Sequence, residues 1–185
     1  MMWHDAHFRL VLTARQLTGN LKGPTGKLID DGYLTYQMVT IRRLCDKDKH
    51  DDVFSLRKVL KKAKEEQPQF TQEIDQLSGR LSQCDHVCTQ VNKHVAHTAD
   101  PQKARNWEEW NMDMKDLENA QKAICQVAFK LDRILRWGCP SITIPVYQYY
   151  HAEDLMSWVV PEEKRDELNK SWYDNVKRVD AWRRV

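Results

Sequence analysis

The sequence predicts an all-α chain: a helical bundle with a long antiparallel helix hairpin, a short extended arm and a C-terminal helix. Three observations predict it. Apolar residues recur at spacings of three and four through most of the chain, the period of one helix face. Only 6 Gly and 6 Pro occur in 185 residues, too few for the tight turns of an all-β fold. A hydrophobic fraction of 41% supplies a core, and 30% charge keeps the chain within the globular range.

The elements follow in order. Phe8, Leu10, Val11, Leu12 and Ala14 lie among polar neighbours and predict an amphipathic helix over 3–17. The stretch GNLKGPTGKL (19–28) holds three glycines and a proline and reads as a loop. Leu34, Met38, Ile41 and Cys45 predict a second helix over 31–46, followed by a solvated turn, KDKHDD, at 47–52. Ser55 is an N-cap for a third helix, 55–66, whose lysines form a solvated face. Gln67-Pro68 ends that helix, and Pro68 opens the next.

Residues 70–98 carry the cleanest pattern. Ile74, Leu77, Leu81, Cys84, Cys88, Val91 and Val95 alternate steps of three and four, an unbroken seam that places Cys84 and Cys88 in the core. His86, Gln90, Lys93 and His97 fall on the opposite face. Asp100-Pro101 breaks the helix. Asn106 with Glu109 reads as the cap of a long partner helix over 107–137, carried by Trp107, Trp110, Met114, Leu117, Ile124, Ala128, Leu131 and Leu135. Gly138 is its C′ residue, ahead of Pro140. SITIPVYQYY (141–150) is β-branched and aromatic, and Pro145 makes it an extended arm or edge strand. A short helix near 152–159 and a last helix from Pro161 to about Arg184 close the chain, the latter with Leu168, Trp172, Val176, Val179 and Trp182 on one face. The organisation expected is a bundle over 1–137, with 138–185 packing on it or on a partner subunit, where the Trp/Val face would be a docking surface.

Lys and Arg (29) nearly balance Asp and Glu (27), for a net charge of +2. That excludes a protein that coats nucleic acid by bulk charge, and an acidic tail protein. No apolar run approaches the roughly 20 residues of a membrane span, and the start has charges where a signal peptide is apolar. The expectation is a cytoplasmic protein with no membrane partner. Cys45, Cys84, Cys88, Cys125 and Cys139 are then reduced thiols, buried by default.

No glycine-rich phosphate loop and no nucleophile elbow occurs. Adjacent acids such as Glu108-Glu109 point about 100° apart on a helix and make poor catalytic pairs. Cys84 and Cys88 with His94 and His97 are zinc ligand types, but they lie on opposite sides of one helix and cannot close a tetrahedron. Neither a metal nor a cofactor is expected. The stretch CTQVNKHVAHTAD (88–100) is the informative one. His97, near the end of a long helix, can give or take a proton at neutral pH, and Lys93, one turn earlier, can hold a phosphate as a point charge. The simpler reading leaves His94 and His97 decorating a helix C-terminus, where an imidazolium suits the dipole.

KHVAHTAD at a helix end, with YLTYQMVTIRRLCDKDK (33–49) and VFSLRKVLKKA (53–63) before it, resembles the HEPN superfamily, and more narrowly the abortive-infection U-type HEPN proteins. The resemblance covers about residues 30–137. It implies a helical bundle that often dimerises, so that two copies of an Arg-x(4–6)-His motif face one cleft. It further implies a metal-independent RNase of defence or toxin–antitoxin systems, with RNA as substrate and an antitoxin or other defence protein as partner. His97 matches the motif His. The Arg positions hold Gln90, Val91 and Asn92 instead, and Asn92 brings hydrogen bonds without charge. The site implied is therefore His97 with Asn92, Lys93 and His94. Arg42, Arg43 and Arg57 are the cations a neighbouring helix could supply. Arg80-x(5)-His86 fits the motif spacing formally, but in mid-helix, as short patterns do by chance. The missing Arg leaves a second reading open: a catalytically silent HEPN-like module that binds a protein partner or nucleotide in a defence system.

Overall fold

The computed structural model describes residues 2–19, 23–47, 54–92, 112–136 and 160–182. Among them the chain is all-α, with no strand. No helix among these residues is long and apolar enough to cross a membrane. The helices are α1 (Met2–Thr18), α2 (Pro24–Cys45), α3 (Leu56–Glu66), α4 (Thr71–Arg80), α5 (Asp85–Gln90), α6 (Met114–Leu135) and α7 (Arg165–Ala181). The expected arm at 141–150 and the short helix near 152–159 lie outside the described residues, as do Trp107, Trp110 and Gly138.

The chain divides into two compact units, Met1–Leu34 with Ser141–Val185, and Thr35–Pro140. In the first, α1 and α7 run antiparallel. Asp5 meets Arg178, Thr13 meets Ser171, and the Leu17 carbonyl accepts from Lys164. Leu168, Trp172, Val179 and Trp182 are buried, with Trp172 at 0% exposure. The Trp/Val face of the tail helix is thus covered within its own chain rather than offered for docking. Asp5, 1% exposed, is a buried charge in this unit. It accepts from the Tyr33 hydroxyl, from Arg9 Nε at 3.1 Å and from Arg178 Nη2 at 2.9 Å. Two cations and a phenol offset the desolvation of that carboxylate. Phe8 stacks on the Tyr33 ring, centroids 3.7 Å apart.

The expected loop at 19–28 is half helix. Gly23 stands at φ +82°, a conformation open to glycine, and Pro24 takes the first helical position, so α2 starts seven residues ahead of the expected Asp31. The same Gly-Pro that reads as a breaker is here a helix start.

In the second unit the expected hairpin is present and antiparallel. Arg80 meets Gln126, Cys84 meets the Ala120 carbonyl and His86 meets Asp116, so rising numbers on one arm face falling numbers on α6. Met38, Ile41, Cys45, Ile74, Leu77, Leu81, Cys84, Leu117, Ile124 and Leu131 are buried as the periodicity predicts. Ser55 caps α3 by accepting from Lys58 N, and Pro68 opens a 3-10 turn over Pro68–Phe70 that leads into α4.

The first arm of the hairpin is not one regular helix. Between α4 and α5 the backbone tightens to a 3-10 turn over Leu81–Cys84. The Ser82 hydroxyl donates to the Gly79 carbonyl at 2.7 Å, and Arg57 takes the Leu81 carbonyl at 3.2 Å. Both divert carbonyls that a regular helix would use internally. At three residues per turn the seam rotates. Val87, at 0% exposure, therefore takes the core place expected of Cys88, which is half-buried, and Gln90 turns inward instead of lying on the outer face.

The long partner helix begins later than expected. Asp113 is extended (φ −110°, ψ 172°) and forms a capping box with Asp116, which sets the start of α6 at Met114. It ends at Leu135, with Arg136 left-handed at φ 51°, rather than at residue 137. A capped start near Asp113 is worth about 1 kcal/mol over an uncapped one.

Candidate functional site

Of the four residues expected at the site, Asn92 is described; Lys93, His94 and His97 lie outside the described residues. Asn92 is exposed, just past α5, where the backbone widens to a π turn at Val91 and Asn92. Such turns recur at functional sites. Its Oδ1 accepts from Arg42 Nε at 2.6 Å. Arg42 stands in the last turn of α2, where a cation suits the helix dipole. The residue in the motif's Arg position is therefore joined to a guanidinium from another helix, 50 residues away in sequence.

Beneath this pair is a small cavity of about 160 Å³ lined by Arg42, Lys47, Asp85, Cys88 and Asn92 among others. Asp85, 39% exposed, organises the charges. Its Oδ2 accepts from Lys47 Nζ at 2.8 Å and its Oδ1 from Arg57 Nη2 at 3.1 Å. Arg57 also donates from Nε to the Cys45 carbonyl at 3.0 Å and from Nη2 to the Leu81 carbonyl at 3.2 Å. It thus ties the end of α2, the start of α3 and the 3-10 turn together. Arg57 occupies the second residue of α3, the end of the helix dipole that repels cations. That misplaced charge is the sequence signal for a tertiary partner. Lys47 and Asp85 left no such signal.

Cys45 and Cys88 line the cavity, and Cys84 is hydrogen-bonded to Cys45. Cys84 Sγ donates to the Ala120 carbonyl at 3.7 Å. The Cys45 thiol is pushed far above its ordinary range by its bond to Cys84 and by burial. Cys88 is pushed up to about 11, chiefly by burial, then by Cys45 and Asp85, against the opposing pull of Arg57 and Arg42. The thiolate is the nucleophile, so the raised pKa keeps Cys45 and Cys88 in the less reactive thiol form near neutral pH. Among the described residues no group of three or more His, Cys, Asp or Glu is placed to hold a metal ion.

The remaining spacing match does not assemble. Arg80 Nη1 donates to Gln126 Oε1 at 2.7 Å, whereas His86, 46% exposed, lies 3.8 Å from Asp116. The two side chains serve different partners along α6. Gln90 Oε1 is buried without a hydrogen-bond partner among the described residues.

Chemically, Arg42 Nη groups and the Asn92 amide N–H offer adjacent donors at the surface, with Lys47 nearby. That set suits an anion such as a phosphodiester. Asp85 limits it by neutralising Lys47 and Arg57. Comparison with protein-family models, curated proteins and solved structures finds no match to this chain.

Proposed function

We propose that this chain is a HEPN-like protein of a defence or toxin system that acts on RNA in the cytoplasm as a metal-independent endoribonuclease. The observation that supports this reading is the 2.6 Å bond between Arg42 and Asn92. It brings a guanidinium to the position where the motif lacks one. In this reading Arg42 and Asn92 hold the scissile phosphate. His97 takes the proton of the RNA 2′-hydroxyl as that oxygen attacks phosphorus and the bond from phosphorus to the 5′-oxygen breaks, and the imidazolium so formed returns a proton to the leaving 5′-oxygen. Lys93 and His94 complete the charge around the phosphate. The products are a 2′,3′-cyclic phosphate and a 5′-hydroxyl. A homodimer that pairs two such motifs, neutralised by an antitoxin or other defence protein, belongs to the same proposal.

A second reading is favoured by Asp85, whose carboxylate already holds Lys47 and Arg57. With two of three cations engaged, the site would grip phosphate weakly, and the chain would be a catalytically silent HEPN-like module that binds a protein partner or nucleotide.

Cleavage of end-labelled tRNA and mRNA in EDTA tests both. The first reading expects cyclic-phosphate ends from the wild type, none from His97→Ala, and a loss of about tenfold or more in Arg42→Ala. Cleavage that persists in His97→Ala refutes it. No cleavage by wild type, with activity gained in Asn92→Arg, establishes the silent module. Silence in all variants rejects the RNase reading.

A further inference from the structure

On another face of the hairpin, α4 and α6 enclose a cleft of about 500 Å³. That volume is within the range of small-molecule sites. Its lining has two chemistries. Leu77 and Ile134 are buried and form an apolar floor, and the half-buried Phe70, at the mouth of α4, adds an aromatic ring. Arg80, Lys130 and Arg133 line the same space, against Glu73 as the carboxylate in the lining. Among the described residues neither Lys130 nor Arg133 forms an ion pair. Arg80 is already oriented: the bond from its Nη1 to Gln126 Oε1, at 2.7 Å, fixes the guanidinium and leaves its other N–H groups for a ligand.

Three cations brought together cost repulsion unless an anion joins them. A guanidinium held by a buried amide loses little entropy on binding, which favours a specific ligand over a diffuse ion cloud. The apolar floor and the ring favour a ligand with a flat hydrophobic body over a bare ion.

We infer that this cleft binds a small organic anion, with a phosphate or carboxylate head on Arg80, Lys130 and Arg133 and a planar apolar body against Phe70, Leu77 and Ile134. The inference is independent of the RNA reading, since it shares no residue with the Arg42–Asn92 site. The head carries most of the affinity, because charge-assisted hydrogen bonds are about twice as strong as neutral ones. The body sets selectivity.

The test is titration of the full chain by calorimetry, and by amide chemical shifts, with phenyl phosphate, benzoate, adenosine monophosphate and inorganic phosphate. At least one ring-bearing probe is expected to bind saturably, about tenfold or more tighter than inorganic phosphate. The preferred head distinguishes a phosphate ligand from a carboxylate one. Lys130→Ala with Arg133→Ala, both on the surface of α6, is expected to weaken binding about tenfold or more with the helical circular dichroism intact. Phe70→Ala is expected to weaken the ring-bearing probes while leaving inorganic phosphate unchanged. Absence of saturable binding by every probe up to about 10 mM overturns the inference. So does binding that the Lys130/Arg133 and Phe70 variants leave unaltered, because the ligand then sits elsewhere.

Discussion

Removing Arg57 is the sharpest test of how this hairpin is held. The side chain reaches three acceptors: the Cys45 carbonyl at 3.0 Å, the Leu81 carbonyl at 3.2 Å and Asp85 Oδ1 at 3.1 Å. A hydrogen bond from a charged donor contributes about 1.5–3 kcal/mol. Two of these go to main-chain carbonyls, one at the end of α2 and one in the 3-10 turn. The third goes to a half-exposed carboxylate and adds about 0.2–1 kcal/mol. The sum, about 3–7 kcal/mol, is an upper bound, since Arg57 is 21% exposed and water reaches part of the vacated space. We expect Arg57→Ala to cost about 2–4 kcal/mol. Arg57→Lys keeps the charge but has no planar fork to span three acceptors, so it is expected to recover less than half of that loss. Urea unfolding followed by circular dichroism at 222 nm, with the midpoint and slope fitted separately, measures both. Backbone amide exchange at Ser82 and Asp85 reads the 3-10 turn directly. If Arg57→Ala lies within about 0.5 kcal/mol of wild type, or if the lysine variant matches wild type, the guanidinium is not what holds the turn.

Three further outcomes are expected. Gly79 lies inside α4, and a Cβ there would meet open space, so Gly79→Ala is expected to raise stability by about 0.5–1 kcal/mol in the same unfolding assay. Asp5→Ala leaves Tyr33, Arg9 and Arg178 without their shared acceptor and is expected to cost about 3–5 kcal/mol, whereas Tyr33→Phe removes one bond and costs about 1 kcal/mol; denaturant midpoints distinguish them. Both Cys45 and Cys88 are held above their ordinary pKa in the fold, so the native state keeps protons that the unfolded chain releases. Stability from this source is whole below about pH 9 and is lost as pH rises through about 11, the value for Cys88. Cys88 contributes about 1–2 kcal/mol of that loss after allowance for its partial exposure. A Cys88→Ala variant measured at about pH 8 and about pH 10.5 is expected to show a correspondingly shallower decline.

The core was largely legible because helical periodicity repeats within a single turn. Met38, Ile41 and Cys45 on α2, and Ile74, Leu77, Leu81 and Cys84 on the hairpin, are buried where their spacing places them. The candidate site was legible in part. The sequence marked Asn92 as the departure from the motif and named Arg42 among the cations able to reach it, but it had no means of choosing among Arg42, Arg43 and Arg57. The fold gave Arg57 to the Cys45 and Leu81 carbonyls and brought Arg42 to Asn92.

What the sequence by itself determined is the helical class, the hairpin, the apolar seam from Ile74 to Cys84 and again at Val91, and the Ser55 cap. All of these are set by contacts within about one or two helical turns. Only the tertiary structure decided that Val87 replaces Cys88 in the core, that Asp5 is buried among two arginines and a tyrosine, and that Arg42 meets Asn92. The physical reason is that competing local patterns can be nearly equal in energy. A regular turn and a 3-10 turn both satisfy residues 81–84. The choice between such states falls to partners distant in sequence, here Arg57 on the Leu81 carbonyl, whose bond exists only after the chain has closed on itself.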